Sequence, residues 1–193
     1  HTATAATLDL SAIRAAVDED PPRRLADRAA EHTQEFTRGY GFVDSGGLQV
    51  LDDTYLAAME LRHVAGELAR RLEVSDDEEL YFTSLLRADN GERPAPDAVP
   101  ESLRSMRGLA YANAVVEYRS DLRQYLDEYP DSAVGDVLER LDGHTKRIRA
   151  LDGDVTPREA ESLVITTRDI WRYLSTDDET ALANAETRLD GLA

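Results

Sequence analysis

One stretch of this sequence spaces its tyrosines as the buried seam of a helix would. Between residues 109 and 130, large apolar or aromatic residues step by four, three, four, three and four positions: Tyr111, Val115, Tyr118, Leu122, Tyr125 and Tyr129. This is a heptad spacing, which keeps one stripe of a helix against its neighbours. A base-stacking surface would carry basic residues on the same stripe, and we place Arg107, Arg119 and Arg123 off it. The spacing predicts a long helix at 100–129 with its tyrosines in the core and their hydroxyls at the rim.

Helix-start signals recur along the chain. Ser75 with Glu78, Thr156 with Glu159 and Thr176 with Glu179 have the spacing of a capping box, in which two side chains satisfy free backbone N–H groups. No alternating run is long enough to predict a strand. The predicted helices are 10–18, 21–39, 52–73, 76–88, 100–129, 131–151, 156–175 and 177–190. The sequence therefore predicts an all-α bundle of about seven to eight helices with one long central helix.

The predicted helix at 52–73 is apolar on two opposite sides. One side carries Leu61, Val64, Leu68 and Leu72, and the other carries Tyr55, Leu56, Met59 and His63. A helix with two apolar sides is sandwiched between neighbours. The 193 residues suffice for one domain with a proper core. We expect a single domain over 1–193, with a hinge at 88–100 and a disordered or linker segment at 1–9.

The charge of the chain is strongly one-sided. It has 39 acidic residues against 22 basic ones, a net charge of −17, and Lys146 is its single lysine. Such a charge destabilises a compact chain by self-repulsion, which salt relieves. The dispersed acidic residues predict the cytoplasm of an extreme halophile. No apolar run approaches the roughly 20 residues that a membrane span needs, and no signal peptide is visible. The absence of cysteine excludes thiolate zinc sites within this chain.

Two groups of residues could carry chemistry. Glu60 and His63 form an E-x-x-H pair, half of the ligand set of di-iron bundles, but no second copy accompanies it. We therefore predict no metal site and no cofactor. The segment from 140 to 149 is the most basic in the chain and contains Arg140, His144, Lys146, Arg147 and Arg149. It is either a solvated face paired with nearby acids or a contact for phosphate or an acidic partner.

Three stretches carry a resemblance to a family. "LDDTYLAAMELRHVA" (51–65), "GLAYANAVVEYR" (108–119) and "RIRALDGDV" (147–155) resemble the helical region of uncharacterised haloarchaeal proteins that bear an N-terminal zinc ribbon of the transcription-factor-B type. The ribbon cysteines are absent from this chain. Its start at His1 rather than Met fits a fragment or processed product that is preceded by a ribbon. The resemblance implies a transcription- or RNA-adjacent adaptor and carries over no site residues.

The sequence thus predicts a non-catalytic helical adaptor that binds a protein partner and is not a membrane protein. Two alternatives remain open. One is an enzyme or metal-binding bundle centred on Glu60 and His63. The other is nucleic-acid contact through Arg140, Lys146, Arg147 and Arg149, which the net charge of −17 opposes.

Overall fold

The computed structural model describes residues 53–87, 93–150 and 155–192, together with Asp27 and Glu31, which are both helical. The described ranges contain six α-helices, fewer than the seven to eight predicted for the chain: α1 Asp53–Leu68, α2 Asp76–Leu86, α3 Arg104–Glu128, α4 Ser132–Ala150, α5 Pro157–Thr176 and α6 Glu179–Asp190. No described residue lies in a strand, which confirms the all-α prediction. The predicted segments 1–9, 10–18 and 21–39 lie outside the described residues, apart from those two.

Helix α3, with 25 residues, is the long central helix that the sequence predicts. It packs against α1, α4 and α5, while α6 lies mainly on α5 and α2 lies on α1. Its tyrosine seam is core over the first half, because Tyr111, Tyr118 and Leu122 are all buried. Beyond Leu122 the seam leaves the core, and Tyr129 is exposed. The core interpretation of the tyrosine ladder is therefore confirmed up to Leu122.

Helix α1 lies between two hydrophobic clusters, as its two apolar sides predict. Leu56 belongs to the main cluster around α3, and Leu61, Val64 and Leu68 belong to a second cluster shared with α2. The prediction for Leu72 is wrong. Helix α1 ends at Leu68, so Leu72 follows in the connection to α2 and is 98% exposed.

Two of the three predicted capping boxes are present. Both reciprocal hydrogen bonds form at Ser75 and again at Thr156, and they start α2 and α5. The predicted capping box at Thr176 is wrong. Thr176 is the last residue of α5, Asp177 adopts a left-handed backbone conformation with φ 58°, and Asp178 is the N-cap of α6. A short acidic side chain tolerates that conformation, so the chain turns two residues later than predicted.

Residues 93–103 form a segment that we call the strap. It contains two 3-10 turns, Pro96–Ala98 and Glu101–Leu103, and runs directly into α3. Val99 and Leu103 are buried in the cluster between α1 and α2. Residues 88–92 of the predicted hinge lie outside the described residues, whereas residues 93–100 belong to the strap.

Gly108 marks a close approach of α3 to Val155. A Cβ atom built at this position would overlap Cγ1 of Val155 and would lie 2.5 Å from its Cβ. Val155 precedes α5 and is buried. Because a valine side chain is branched and stiff, it has little freedom to give way. The absence of a side chain at Gly108 therefore leaves room for Val155 to pack against α3.

We expect Gly108→Ala to lower the free energy of unfolding by about 1–3 kcal/mol, as overpacking of a filled core does. The matched control is Gly143→Ala in α4, where the added Cβ meets nothing within 4 Å. That change is expected to raise stability by about 0.5–1 kcal/mol, because alanine is the better helix former. Urea denaturation at constant high salt measures both. A stabilising effect at Gly108 would show that Val155 is not packed there.

Candidate functional site

A cluster of charged and hydroxyl groups lies in the interior where α1, α2 and α3 meet. We call it the buried ion cluster; it consists of Glu60, Tyr81, Arg107 and Tyr111. Glu60 is 0% exposed and Arg107 is 1% exposed. Nε of Arg107 lies 3.2 Å from Oε2 of Glu60. Removing either charge from water costs several kcal/mol, so the two depend on each other and on additional hydrogen bonds.

Both carboxylate oxygens of Glu60 have hydroxyl donors. Tyr111 donates to Oε2 at 3.0 Å, and Tyr81 donates to Oε1. The Tyr111 hydroxyl in turn accepts a hydrogen bond of 3.1 Å from Nε of Arg107. Arg107 and Tyr111 can meet in this way because residues four apart share a face of a helix. Among the described residues, Nη1 of Arg107 has no hydrogen-bond partner.

The surroundings change the acidity of the groups in the cluster. Burial raises the pKa of Glu60, although Arg107 and the two hydroxyl groups act in the opposite direction. Burial alone would lower the pKa of Arg107, but Glu60 and the tyrosines more than offset it, so this pKa is raised. Burial, followed by the charge of Glu60, raises the pKa values of Tyr81 and Tyr111. The tyrosines therefore stay protonated and keep donating to the carboxyl group.

Arg93 ties the strap to this interior. Its guanidinium lies 3.0 Å from Asp53 in α1 and 2.9 Å from Glu161 in α5, and it donates to the Tyr111 hydroxyl at 2.7 Å. Nη2 of Arg107 adds a hydrogen bond of 2.5 Å to the carbonyl oxygen of Pro94. Through these contacts one strap residue joins three helices.

Asp53 receives a second cation, because Arg168 of α5 donates to it at 2.6 Å. Burial alone would raise the pKa of Asp53, but Arg168 and Arg93 together lower it. Beneath the strap, three arginines thus face three carboxyl groups: Arg93, Arg107 and Arg168 against Asp53, Glu60 and Glu161. The formal charges of these six residues cancel.

An open groove lies directly above the buried ion cluster. It has a volume of about 840 Å³ and runs between one face of α2 and the strap. Its α2 wall is formed by Asp77, Leu80, Tyr81 and Ser84, and its strap wall by Arg93, Pro94 and residues 97–102. Leu80, a large apolar side chain on this wall, is 70% exposed.

The structure separates the predicted E-x-x-H pair. Glu60 points into the buried ion cluster, whereas His63 is half-buried against α3. Nδ1 of His63 lies 2.9 Å from the carbonyl oxygen of Met59, and Nε2 lies 3.0 Å from Nδ2 of Asn113. This pattern requires the tautomer with hydrogen on Nδ1, so both ring nitrogens are occupied. Within the described ranges no three His, Asp or Glu side chains come together as a metal site.

The predicted basic segment lies on α4 and faces α6. Arg140 binds Asp190, Lys146 lies 2.7 Å from Asp142, and Arg147 donates to the carbonyl oxygen of Leu192. His144 is half-buried beside Arg147, and burial together with that cation lowers its pKa. Arg149 is exposed. Most of these cations therefore contact acidic or carbonyl oxygens of the fold, and the groove lies elsewhere, between α2 and the strap.

The buried ion cluster has no counterpart among the predicted sites. The prediction that Arg107 lies off the tyrosine stripe is wrong: Arg107 is four residues before Tyr111, on the same stripe, and its guanidinium carbon lies 5.3 Å from the Tyr111 ring centre. The prediction that the tyrosine hydroxyls lie at the rim is also wrong for Tyr111 and Tyr118, whose hydroxyls are inside. The usable signal is an arginine and a glutamate on the most apolar faces of two neighbouring helices.

Comparisons with known proteins identify a family but no activity. No helix in the described part of the chain is long and apolar enough to cross a membrane. Neither a characterised protein nor a solved structure matches the chain significantly. A family profile does match, over residues 1–189, almost the whole chain. The chain belongs to DUF7117, a family of unknown function.

Proposed function

We propose that this chain is a non-catalytic helical module that binds a protein partner. The observation that carries the proposal is the open groove between α2 and the strap, which leaves Leu80 70% exposed. Concave surfaces that combine apolar side chains with a few polar groups are typical of binding sites. The buried ion cluster beneath the groove holds its walls in place, which favours binding by a preformed surface.

The alternatives receive less support from the geometry. A metal-binding or enzymatic bundle needs Glu60 and His63 to share a ligand, but each is engaged with partners inside the fold. A nucleic-acid contact needs free cations between 140 and 149, and three of these cations lie against acidic or carbonyl oxygens. We therefore favour the interaction module over both.

Site-specific photocrosslinking inside the producing cells tests the proposal. A photoreactive phenylalanine analogue replaces Leu80 in one variant and the exposed Ile165 of α5 in the control. The expected result is a covalent adduct with one defined protein from position 80 that is absent from position 165. Adducts with nucleic acid alone, or with no macromolecule, would contradict a protein-interaction role.

We further propose that the module works in the cytoplasm of an extreme halophile. The net charge of −17 and the single lysine support this environment. The resemblance to ribbon-bearing haloarchaeal proteins supports a role beside the transcription or RNA machinery, with a zinc ribbon encoded upstream of residue 1. The genomic reading frame tests the last point: a pair of Cys-x-x-Cys motifs before His1 is expected, and a frame without them contradicts the ribbon.

Low salt is expected to unfold the chain reversibly. With a net charge of −17 the acidic surface repels itself, and at about 1 M salt the Debye length falls to about 3 Å, so the repulsion is screened. Helix content measured by circular dichroism should fall in dilute buffer and return in molar KCl. Full cooperative folding in dilute buffer would contradict the halophile proposal. NaCl at the same ionic strength should restore helix content as KCl does, because screening depends on ionic strength.

A further inference from the structure

We propose that the groove binds a short segment of the partner protein in which an arginine or lysine stands next to a large apolar side chain. This inference rests on the proposed interaction function and names the chemistry of the partner. It follows from three features of the groove: its length, its apolar contacts and the charge at one of its ends.

The length of the groove suits a very short segment. Its α2 wall runs from Asp77 to Ser84. The seven residue steps from one to the other span about 10 Å of α-helix, at about 1.5 Å per step. An extended peptide rises about 3.3 Å per residue, so about three residues of a partner fill the groove from end to end.

The apolar contacts lie on both walls. Leu80 projects from α2, and Pro94, Ala98 and Pro100 line the strap. Neither proline donates a backbone hydrogen bond, so this wall offers the partner apolar surface more than hydrogen bonds. A large apolar side chain of the partner would cover Leu80 and gain about 25 cal/mol for each Å² of apolar surface removed from water.

One end of the groove is acidic. Ser102 of the strap donates to Glu78 at 2.7 Å, and Arg71 pairs with Glu78 and donates to the carbonyl oxygen of Ser102. Glu78 is therefore neutralised, and these contacts bring the first turn of α2 to this end of the strap. The chain neighbours of this contact, Asp77 and Glu101, are both exposed and line the groove. At the other end the cation Arg93 is matched by Asp53 and Glu161, so it offers little repulsion to a basic segment. A cationic side chain therefore fits beside Asp77 and Glu101.

The same features disfavour other occupants. A phosphate-bearing ligand would meet the two exposed carboxylates at the acidic end. Attraction over long distances is also weak in molar salt, where the Debye length is about 3 Å. A cation in the partner must therefore touch the acidic end directly, and the apolar anchor supplies contact that salt does not screen. Binding therefore needs both the cation and the large apolar side chain of the partner segment.

Selection from a phage-displayed library of random nonapeptides tests the proposal. The immobilised full chain serves as the target in about 1 M KCl, the salt in which the Debye length is about 3 Å. The expected result is enrichment of peptides with arginine or lysine beside Leu, Ile, Met or Phe. Enriched peptides are then synthesised with a fluorescein label, and their dissociation constants are measured by anisotropy.

Variants locate the binding site. Leu80→Glu and Asp77→Arg are each expected to weaken binding by about tenfold or more, as the loss of one central contact does. Ile165→Glu on α5 and Asp136→Arg on α4 are the matched controls at exposed positions, and they should leave the dissociation constant unchanged. Circular dichroism in the same salt confirms that each variant folds.

The outcomes separate this inference from the proposed function. Peptides that bind the Leu80→Glu variant as well as the unchanged chain would overturn the groove assignment and leave the interaction module standing. Selection of purely acidic or purely apolar peptides would overturn the basic motif. If no peptide is selected while position 80 still crosslinks to a protein in cells, the short-segment inference fails alone. If both experiments are negative, both proposals fail.

Discussion

Arg107→Met is expected to lower the free energy of unfolding by about 3–5 kcal/mol, because it leaves the Glu60 carboxyl group buried without its cation. Glu60 is 0% exposed, and among the described residues the hydroxyl groups of Tyr81 and Tyr111 would still donate to it. Urea denaturation in molar KCl measures the loss. The control is Arg158→Met, whose side chain is 75% exposed and pairs with Asp97 at the surface. That change is expected to cost less than about 1 kcal/mol.

The double variant distinguishes a coupled pair from two independent residues. Glu60→Gln alone leaves Arg107 buried without a counter-charge, whereas Glu60→Gln with Arg107→Met leaves no charge between them. The amide oxygen introduced by Glu60→Gln would still accept a hydrogen bond from a tyrosine hydroxyl. The double variant should therefore be more stable than the sum of the single losses predicts. Strict additivity would show that the two side chains are not coupled in solution.

The decrease in the free energy of unfolding caused by Arg107→Met should also depend on pH. Burial raises the pKa of Glu60 in the folded chain, and removal of Arg107 takes away the main group that opposes this rise. A carboxyl group with a raised folded pKa stabilises the fold below its unfolded pKa and loses that contribution as the pH rises through the folded value. The cost of Arg107→Met is therefore expected to be smaller at acidic pH and larger at neutral pH.

Tyr118→Ala should cost about 3–5 kcal/mol, since it leaves a cavity in the middle of the seam. Tyr118 is buried between α3 and its neighbours, in the main cluster. Its hydroxyl is buried and has no hydrogen-bond partner in the part of the chain described here. Tyr118→Phe, which removes only that hydroxyl, is therefore expected to be neutral or stabilising, because an unsatisfied buried polar group costs about 1–3 kcal/mol.

Tyr111→Phe is the matched comparison, because it removes the same atom from the same seam seven residues earlier. The Tyr111 hydroxyl contacts Glu60, Arg93 and Arg107, so its loss is expected to destabilise the fold by about 1–3 kcal/mol. Denaturation curves at constant high salt compare the variants. An unchanged midpoint for Tyr118→Ala would mean that the ring is not in the core, and equal effects of the two phenylalanine changes would show that the hydroxyls share one environment.

The sequence predicts the fold better than it predicts the site, for physical reasons. The helix starts at Ser75 and Thr156 depend on pairs of residues that are three positions apart, so the local sequence predicts them. The heptad spacing likewise predicts the burial of Tyr118 without knowledge of its neighbours. The groove depends instead on contacts between distant segments, such as Ser102 with Glu78. No local pattern places the strap over α2.

The wrong predictions for Leu72, Thr176 and Arg107 also arise because local spacing does not reveal helix ends or distant partners. Leu72 continues the apolar spacing of α1, but the helix ends at Leu68, and spacing alone does not show where a helix ends. Thr176 and Glu179 have the right spacing for a capping box, yet Asp178 takes the N-cap position because Asp177 turns the chain. The prediction for Arg107 is wrong because a charged residue is expected to face solvent unless a buried partner, here Glu60, is known.

The attachment of Arg93 has a consequence for the lifetime of the folded state. This one side chain joins Asp53, Tyr111 and Glu161, which lie 40, 18 and 68 residues away along the chain. We expect such contacts to form only after α1, α3 and α5 have assembled, because closing long loops costs entropy before the contacts can form. Interactions that form after the transition state slow unfolding and leave the folding rate nearly unchanged. We therefore expect the contacts of the strap to slow unfolding, and so to lengthen the lifetime of the folded state. They should have little influence on the folding rate.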